Sequence, residues 1–252
     1  MSTEQPGSSG TGSRGIGSRG TGSKKPTARA VARESLTAEI LVLARRHLAE
    51  HGADGLSLRA ISRDLGMVSS AIYRYFPSRD ELLTALIVQS YGNLGDAVAS
   101  AADQPEASLR QRFIDICAAV RAWAKGHPQE WALIYGSPVP GYQAPQTTIE
   151  PATRVIMLVF DVVVAAWSAG LLEVGDGELD PVLVTQAGQV LEGLGVGDDV
   201  PPIVVARATE CWTHLLGVVS SELFGQLANT FDPADRFTLW CWANLADRIG
   251  LR

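Results

Sequence analysis

Residues 56–76 read LSLRAISRDLGMVSSAIYRYF. Ser57 is a residue type that caps helices, and Leu58, Ile61 and Leu65 follow it at helical spacing, with Arg59, Arg63 and Asp64 facing outward. Gly66-Met67 makes a short turn, where glycine allows a left-handed backbone. The pattern predicts another helix from about Val68 to Tyr75. Ser62, one turn before Gly66, is small enough to let two helices cross closely. Ile61, Leu65, Met67, Ile72 and Phe76 supply a shared apolar core. Together these residues predict a helix-turn-helix. Its second helix exposes Ser69, Ser70, Tyr73 and Arg74, whose hydroxyls and guanidinium suit base edges and phosphates in a major groove. Residues 65–79 hold no Asp or Glu. An ordinary helical hairpin has the same spacing, so spacing alone leaves both readings open.

Toward the N-terminus, Thr37 can cap a helix whose stripe is Ile40, Leu41, Ala44 and Leu48 and which Gly52 ends. Before it lies a low-complexity run, GSSGTGSRGIGSRGTGSKKP at 7–26, too poor in apolar surface to fold. G-x-G-x-x-G occurs in it twice, without the strand and helix that dinucleotide binding requires. Arg14, Arg19, Lys24, Lys25, Arg29 and Arg33 make residues 1–34 read as a disordered cationic arm.

Toward the C-terminus the apolar period stays helical. Helices are expected at about 80–101, 107–125, 128–135, 149–172, 180–193, 201–229 and 233–249, several opening near a proline. The loop GSPVPGYQAPQ (136–146) is long and proline-rich. GLGVG (193–197) follows a helix and reads as a loop. No alternating strand pattern appears. The expected fold is all-α: a basic arm (1–34), a three-helix domain holding the candidate helix-turn-helix (35–80) and a larger helical domain (81–252), the candidate ligand-binding and dimerisation part.

Charge supports the division. The chain of 252 residues carries a net −6, yet residues 1–80 hold 12 Lys and Arg against 7 Asp and Glu. The remainder is strongly acidic, so a basic head sits on an acidic body.

Other function classes fare worse. Cys117, Cys211 and Cys241 are isolated and form no C-x-x-C pair, which argues against zinc and disulfides and for a reducing cytoplasm. The N-terminus lacks the apolar core of a signal peptide. Val155–Leu172 approaches the length of a membrane span, but Asp161 lies near its middle, so a buried helix is the better reading. His47-Leu-Ala-Glu50-His51 matches H-x-x-E-H at the polar end of a helix, a poor metal site. No catalytic constellation stands out among four histidines. No cofactor is expected. The rival class is a helical small-molecule enzyme or ligand carrier, which leaves the helix-turn-helix unused.

LSLRAISRDLGMVSSAIYRYFPSRDELLTALI closely resembles the DNA-binding signature of TetR-family transcriptional repressors, with the match running from about Thr37 to Ile87. The resemblance implies a homodimer that binds a palindromic double-stranded operator and is released by a small molecule. It implies that Arg59 reaches a base or phosphate, that Ser69, Ser70 and Ala71 face bases, and that Tyr73 and Tyr75 contact phosphates. Tyr75 stands where the family often has His. Ser78 and Arg79 would grip the DNA backbone at the next helix N-terminus. Val68 stands where a small polar residue is common. With Thr37, Ser57 and Arg74, these residues make the candidate DNA-binding set. Segments 126–142 and 211–227 resemble a C-terminal domain common among actinobacterial TetR-like proteins and named for a Trp-His-Gly feature. Here Trp212 and Gly217 are present, but Leu216 precedes the glycine and the histidine is His214.

Aromatic residues concentrate after residue 80. Phe113, Trp123, Trp131, Tyr135, Met157, Phe160 and Trp167 are the expected lining of an apolar ligand cavity, against the alternative of plain core packing. Asp161 is read either as a cation-binding or hydrogen-bonding group of that cavity or as a structural carboxylate. The resemblance implies that the last helices pair across a two-fold axis, and two stripes there follow helical spacing: Val204, Ala208, Cys211, Leu215, Val218 and Glu222, and Leu239, Trp242, Ala246 and Ile249. Intrachain core is the alternative.

Overall fold

The computed structural model describes residues 27–173, 178–195 and 200–252. The sequence reading of residues 1–26 lies outside these, as do residues 196 and 197 of the 193–197 loop; Gly193 and Leu194, read as loop, instead close the helix Pro181–Leu194, which stops at Gly195 (φ +65°). The described residues divide into two units, 27–36 and 37–252.

Helix α1 spans Ala28–His51. It starts earlier than the sequence reading, which placed a cap at Thr37 and extended the arm to residue 34. Residues 28–36, ARAVARESL, contain neither Gly nor Pro and are rich in strong helix formers. Thr27 Oγ1 accepts from the Ala30 N–H at 3.2 Å, so Thr27 does the capping. Thr37 lies inside the helix.

In the second unit, α2 (Leu58–Asp64) opens at Ser57, whose hydroxyl accepts from the Ala60 N–H. It closes on Gly66 with φ +65°. There Met67 N–H donates to the Ser62 carbonyl at 2.8 Å and Gly66 N–H to the Arg63 carbonyl at 3.0 Å, the paired bonds of a Schellman stop. Helix α3 (Ser69–Ile72) is shorter than the expected Val68–Tyr75, because its last turn tightens. Arg74 and Tyr75 donate three residues back, to Ala71 and Ile72. Of the expected shared core, Ile61 and Ile72 are fully buried and Phe76 nearly so, whereas Leu65 and Met67 are half-buried; Ile40 and Ala44 of α1 are fully buried as well.

The remaining helices are α4 (Arg79–Ala102), α5 (Leu109–Gly126), α6 (Pro128–Tyr135), α7 (Ile149–Ser168), α8 (Pro181–Leu194), α9 (Pro202–Leu223) and α10 (Asp235–Ile249). A 3₁₀ turn, Gln146–Thr148, precedes α7. Among the described residues the one extended pairing is a single bridge between Leu172 and Leu251. Helix α4 packs on α5, α6 and α7, while α9 packs between α8 and α10. One continuous core joins α4, α5, α7, α9 and α10. No helix among the described residues is long and apolar enough to cross a membrane.

Helix α9 ends at Leu223 rather than 229, because Gly225 (φ +76°) takes a left-handed stop. Gln226 N–H then donates to the Ser221 carbonyl at 2.8 Å. The stripes expected at a dimer seam are spent inside one chain. Val204, Ala208, Cys211 and Leu215 are at most 1% exposed, as are Trp242, Ala246 and Ile249. Leu239 alone among these apolar positions is exposed. Glu222 pairs with Arg121 of α5, Nε to Oε2 at 2.6 Å, and Arg121 also reaches Asp235.

Candidate functional site

The stretch from Ser57 to Arg79 presents a polar edge. Arg59, Ser69, Ser70, Arg74 and Ser78 are exposed, Tyr73 is 42% exposed and Val68 72%. Ala71 and Tyr75 are half-buried, as are Ser57 and Thr37. Ser78 caps α4 by accepting from the Glu81 N–H at 3.1 Å. Asp80 and Glu81, in the first turn of α4, suit its N-terminal dipole.

Arg79 has an internal partner. Its Nη2 donates to the Ala53 carbonyl at 2.7 Å, in the loop between α1 and α2. Asp54 and Asp80 lie 3.9 and 4.0 Å away. Arg79 therefore fastens the α1–α2 loop to the start of α4.

The H-x-x-E-H residues also serve structure. His47 is buried, and its Nε2 lies 2.7 Å from Asp64 Oδ2, which joins α1 to the end of α2. That hydrogen bond, with Arg46 nearby, holds the Asp64 carboxyl below its usual range. His51 is exposed. Among the described residues no group of three or more His, Cys, Asp or Glu could hold a metal ion. The three cysteines are buried, and burial pushes the Cys211 thiol up to about 12, which makes it unreactive at neutral pH.

The eight residues expected around a ligand do not surround one cavity. Phe113, Trp123, Trp131 and Phe160 belong to the core. Trp131 Nε1 donates to Ser220 Oγ at 3.1 Å. Trp167 and Tyr135 pack against that core, Tyr135 edge-on to Tyr91. The buried Tyr135 hydroxyl has no hydrogen-bond partner among the described residues, and burial raises its pKa. Met157 and Asp161 line an open groove between α4 and α7, and Asp161 is exposed, so it bears no desolvation penalty. Trp212 is buried, whereas His214 and Gly217 are exposed.

The structure offers a different cavity. It has a volume of about 460 Å³, within the range of small-molecule sites. Ile87 and Tyr91 of α4, Ile134 of α6, Ile149 of α7, and Val139 and Tyr142 of the α6–α7 loop form its walls. No charged side chain lines it. Its hydroxyls are largely engaged: Tyr91 donates to the Ile134 carbonyl, Tyr142 meets Thr84 Oγ1 at 2.9 Å, and Thr148 donates to the Pro145 carbonyl. The length and proline content of 136–146 were the available sequence signal, because long ordered loops are often functional. The aromatic count pointed instead at the core.

Gly136, Ser137 and Val139 of this loop, with Leu133, also wall a second cavity of about 360 Å³. Its other side is formed by Leu48, Gly52 and Ala53, at the end of α1. One short segment thus lies between the apolar chamber and a cavity beside the end of α1.

Residues 40–86 match the family described as bacterial regulatory proteins, tetR family, and residues 113–241 match the tetracyclin repressor-like C-terminal domain. The HTH-type transcriptional regulator Rv1816 of Mycobacterium tuberculosis is 46% identical over 201 residues, covering 79% of this chain and 85% of that protein. Among solved structures, the regulatory protein SCO4313 is 35% identical with a TM-score of 0.71, over 89% of this chain and 100% of that one. A TetR-family regulator from Marinobacter aquaeolei VT8 is 16% identical with a TM-score of 0.58, over 88% of this chain and 99% of that one, a likeness of fold alone.

Proposed function

The chain belongs to the TetR family and is a DNA-binding transcriptional regulator rather than an enzyme; from that premise we propose that it is a cytoplasmic repressor released from its operator by an uncharged, apolar or aromatic small molecule. The observation that carries this reading is the shared wall at 136–139. A ligand filling the 460 Å³ chamber presses on the same segment that packs toward Leu48 and Ala53. Ala53 is in turn held by Arg79 at the start of α4. The absence of charge in the chamber disfavours ionic effectors, whose desolvation would go uncompensated.

The repressor acts as a homodimer. One short recognition helix binds weakly, and two-fold pairing multiplies it. The pairing surface is the outer face of α8, where Val182, Leu183, Val184 and Val190 are 41–62% exposed. Helix α8 packs chiefly on α9 and leaves this face open.

DNA contact comes from Arg59, Ser69, Ser70, Ala71, Tyr73, Arg74 and Tyr75, with Thr37, Ser57 and Ser78 on the flanking backbone. The ligand shifts the population toward a conformer whose recognition helices no longer match the half-sites. Operator and effector must then weaken each other by the same factor. A screen of uncharged aromatic compounds for release of a fluorescent operator tests this. Tyr142→Phe, which cuts the tether to Thr84, is expected to bind operator normally and to shift the effector concentration needed for release. If no uncharged compound released the operator while ionic ones did, the chamber would not be the effector site.

A further inference from the structure

Among the described residues, the most exposed large apolar side chain is Val68, at 72%. It occupies the N-cap of α3, the recognition helix, where hydroxyl and amide side chains are favoured. Its isopropyl group makes no capping hydrogen bond. The backbone around it is fixed: Met67 N–H donates to the Ser62 carbonyl, and Ala71 N–H to the Val68 carbonyl, both at 2.8 Å. Valine is also stiff about its first side-chain torsion. Little freedom is lost when such a group docks.

Single exposed apolar residues are common on protein surfaces. Position distinguishes this one. The N-terminal residues of a recognition helix meet base edges in the major groove. Val68 has no polar side-chain atom to offer a phosphate, and its exposure rules out a core role. The apolar group that the major groove presents is the C5 methyl of thymine. Ser69 and Ser70, the next two residues, are exposed hydroxyls suited to the neighbouring polar edges.

We infer that Val68 reads a thymine methyl group in each half-site, selecting T at one position by apolar contact. The inference rests on DNA binding by this family and not on release by a ligand. No effector enters its test, so the two readings fail separately.

The test selects an operator from a random duplex pool with the purified full-length protein. Each thymine is then replaced in turn by deoxyuridine, which deletes one methyl and leaves base pairing intact. The wild-type protein is expected to lose about fourfold in affinity at one thymine per half-site, the worth of one buried methyl-sized group. For V68A, thymine and deoxyuridine should bind alike at that position, with sensitivity elsewhere unchanged. Val68 is exposed, so V68A should melt like the parent. A wild type with no deoxyuridine-sensitive position overturns the inference, as does a V68A variant that keeps the wild-type ratio at every position.

Discussion

Arg79 and Ala53 are joined by a hydrogen bond of 2.7 Å from the guanidinium Nη2 to the carbonyl oxygen. The bond ties the first turn of α4 to the loop between α1 and α2. Ala53 also walls the cavity that the 136–139 segment bounds from the other side. The pair therefore joins the wall of that cavity to the start of α4, and its loss should be felt in both stability and operator affinity.

Arg79→Ala is expected to cost about 1.5 kcal/mol, the low end for a hydrogen bond to a charged group, since the side chain is 32% exposed. Thermal unfolding should show a Tm roughly 3–6 °C lower for a chain of this size. Loss of operator binding with an unchanged Tm would make Arg79 a phosphate contact and nothing more.

Glycine at 66 is set by the backbone. At φ +65° an added Cβ would meet nothing within 4 Å, so the penalty of Gly66→Ala is conformational alone, about 1–2 kcal/mol. Gly92, inside α4, also has open space around a Cβ. There alanine should stabilise by about 0.5–1 kcal/mol, through helix propensity. Urea denaturation of both variants checks the opposite signs.

The Arg121–Glu222 pair should appear in acid. The hydrogen bond from Arg121, aided by Lys125, holds the Glu222 carboxyl below its ordinary 4.5. A carboxyl lowered in the folded state stabilises above its unfolded pKa and loses that contribution as pH falls through the folded value. Both side chains are about nine-tenths buried, at 14% and 13% exposure. Glu222→Gln should therefore cost about 2 kcal/mol at neutral pH. The gap from wild type should narrow as pH falls below about 4.5, where the unfolded chain's carboxyl protonates, and close below the folded value. Melts at pH 7 and pH 3.5 compare the two.

Placing a charge on the open face of α8 should separate the dimer. Val190→Glu, at a position 42% exposed, leaves the core intact. Sedimentation is expected to show a monomer with near-parental helix content and far weaker operator binding. A variant that remains dimeric would move the interface off α8.

The sequence was most legible where the constraint is local. Ser57 announces a cap and Gly66 a turn, and the structure uses each for that purpose. Spacing failed where a residue's partner comes from far along the chain. Val204, Ala208, Cys211 and Leu215 have the period of an interface, but the period of a core is the same, and the core claims them. Nothing local reveals that Arg79, which the resemblance offers as a DNA-backbone contact, also meets the Ala53 carbonyl. Aromatic content pointed at Phe113 and Trp131, which fill the interior. The chamber is walled instead by Ile87, Tyr91, Ile134 and a proline-rich loop. Alanine-rich residues 28–36 resembled the end of an arm only because the run before them is so polar.

The central claim is sequence-specific operator binding by a two-fold pair of helix-turn-helix units, and selection from random duplexes tests it most directly. Purified protein should enrich a palindromic consensus whose half-sites lie about one helical turn, ~34–36 Å, or slightly more apart. A Ser70→Ala, Tyr73→Phe double variant should fail to enrich it. Enrichment of no common sequence, with binding that depends on salt alone, would contradict the account.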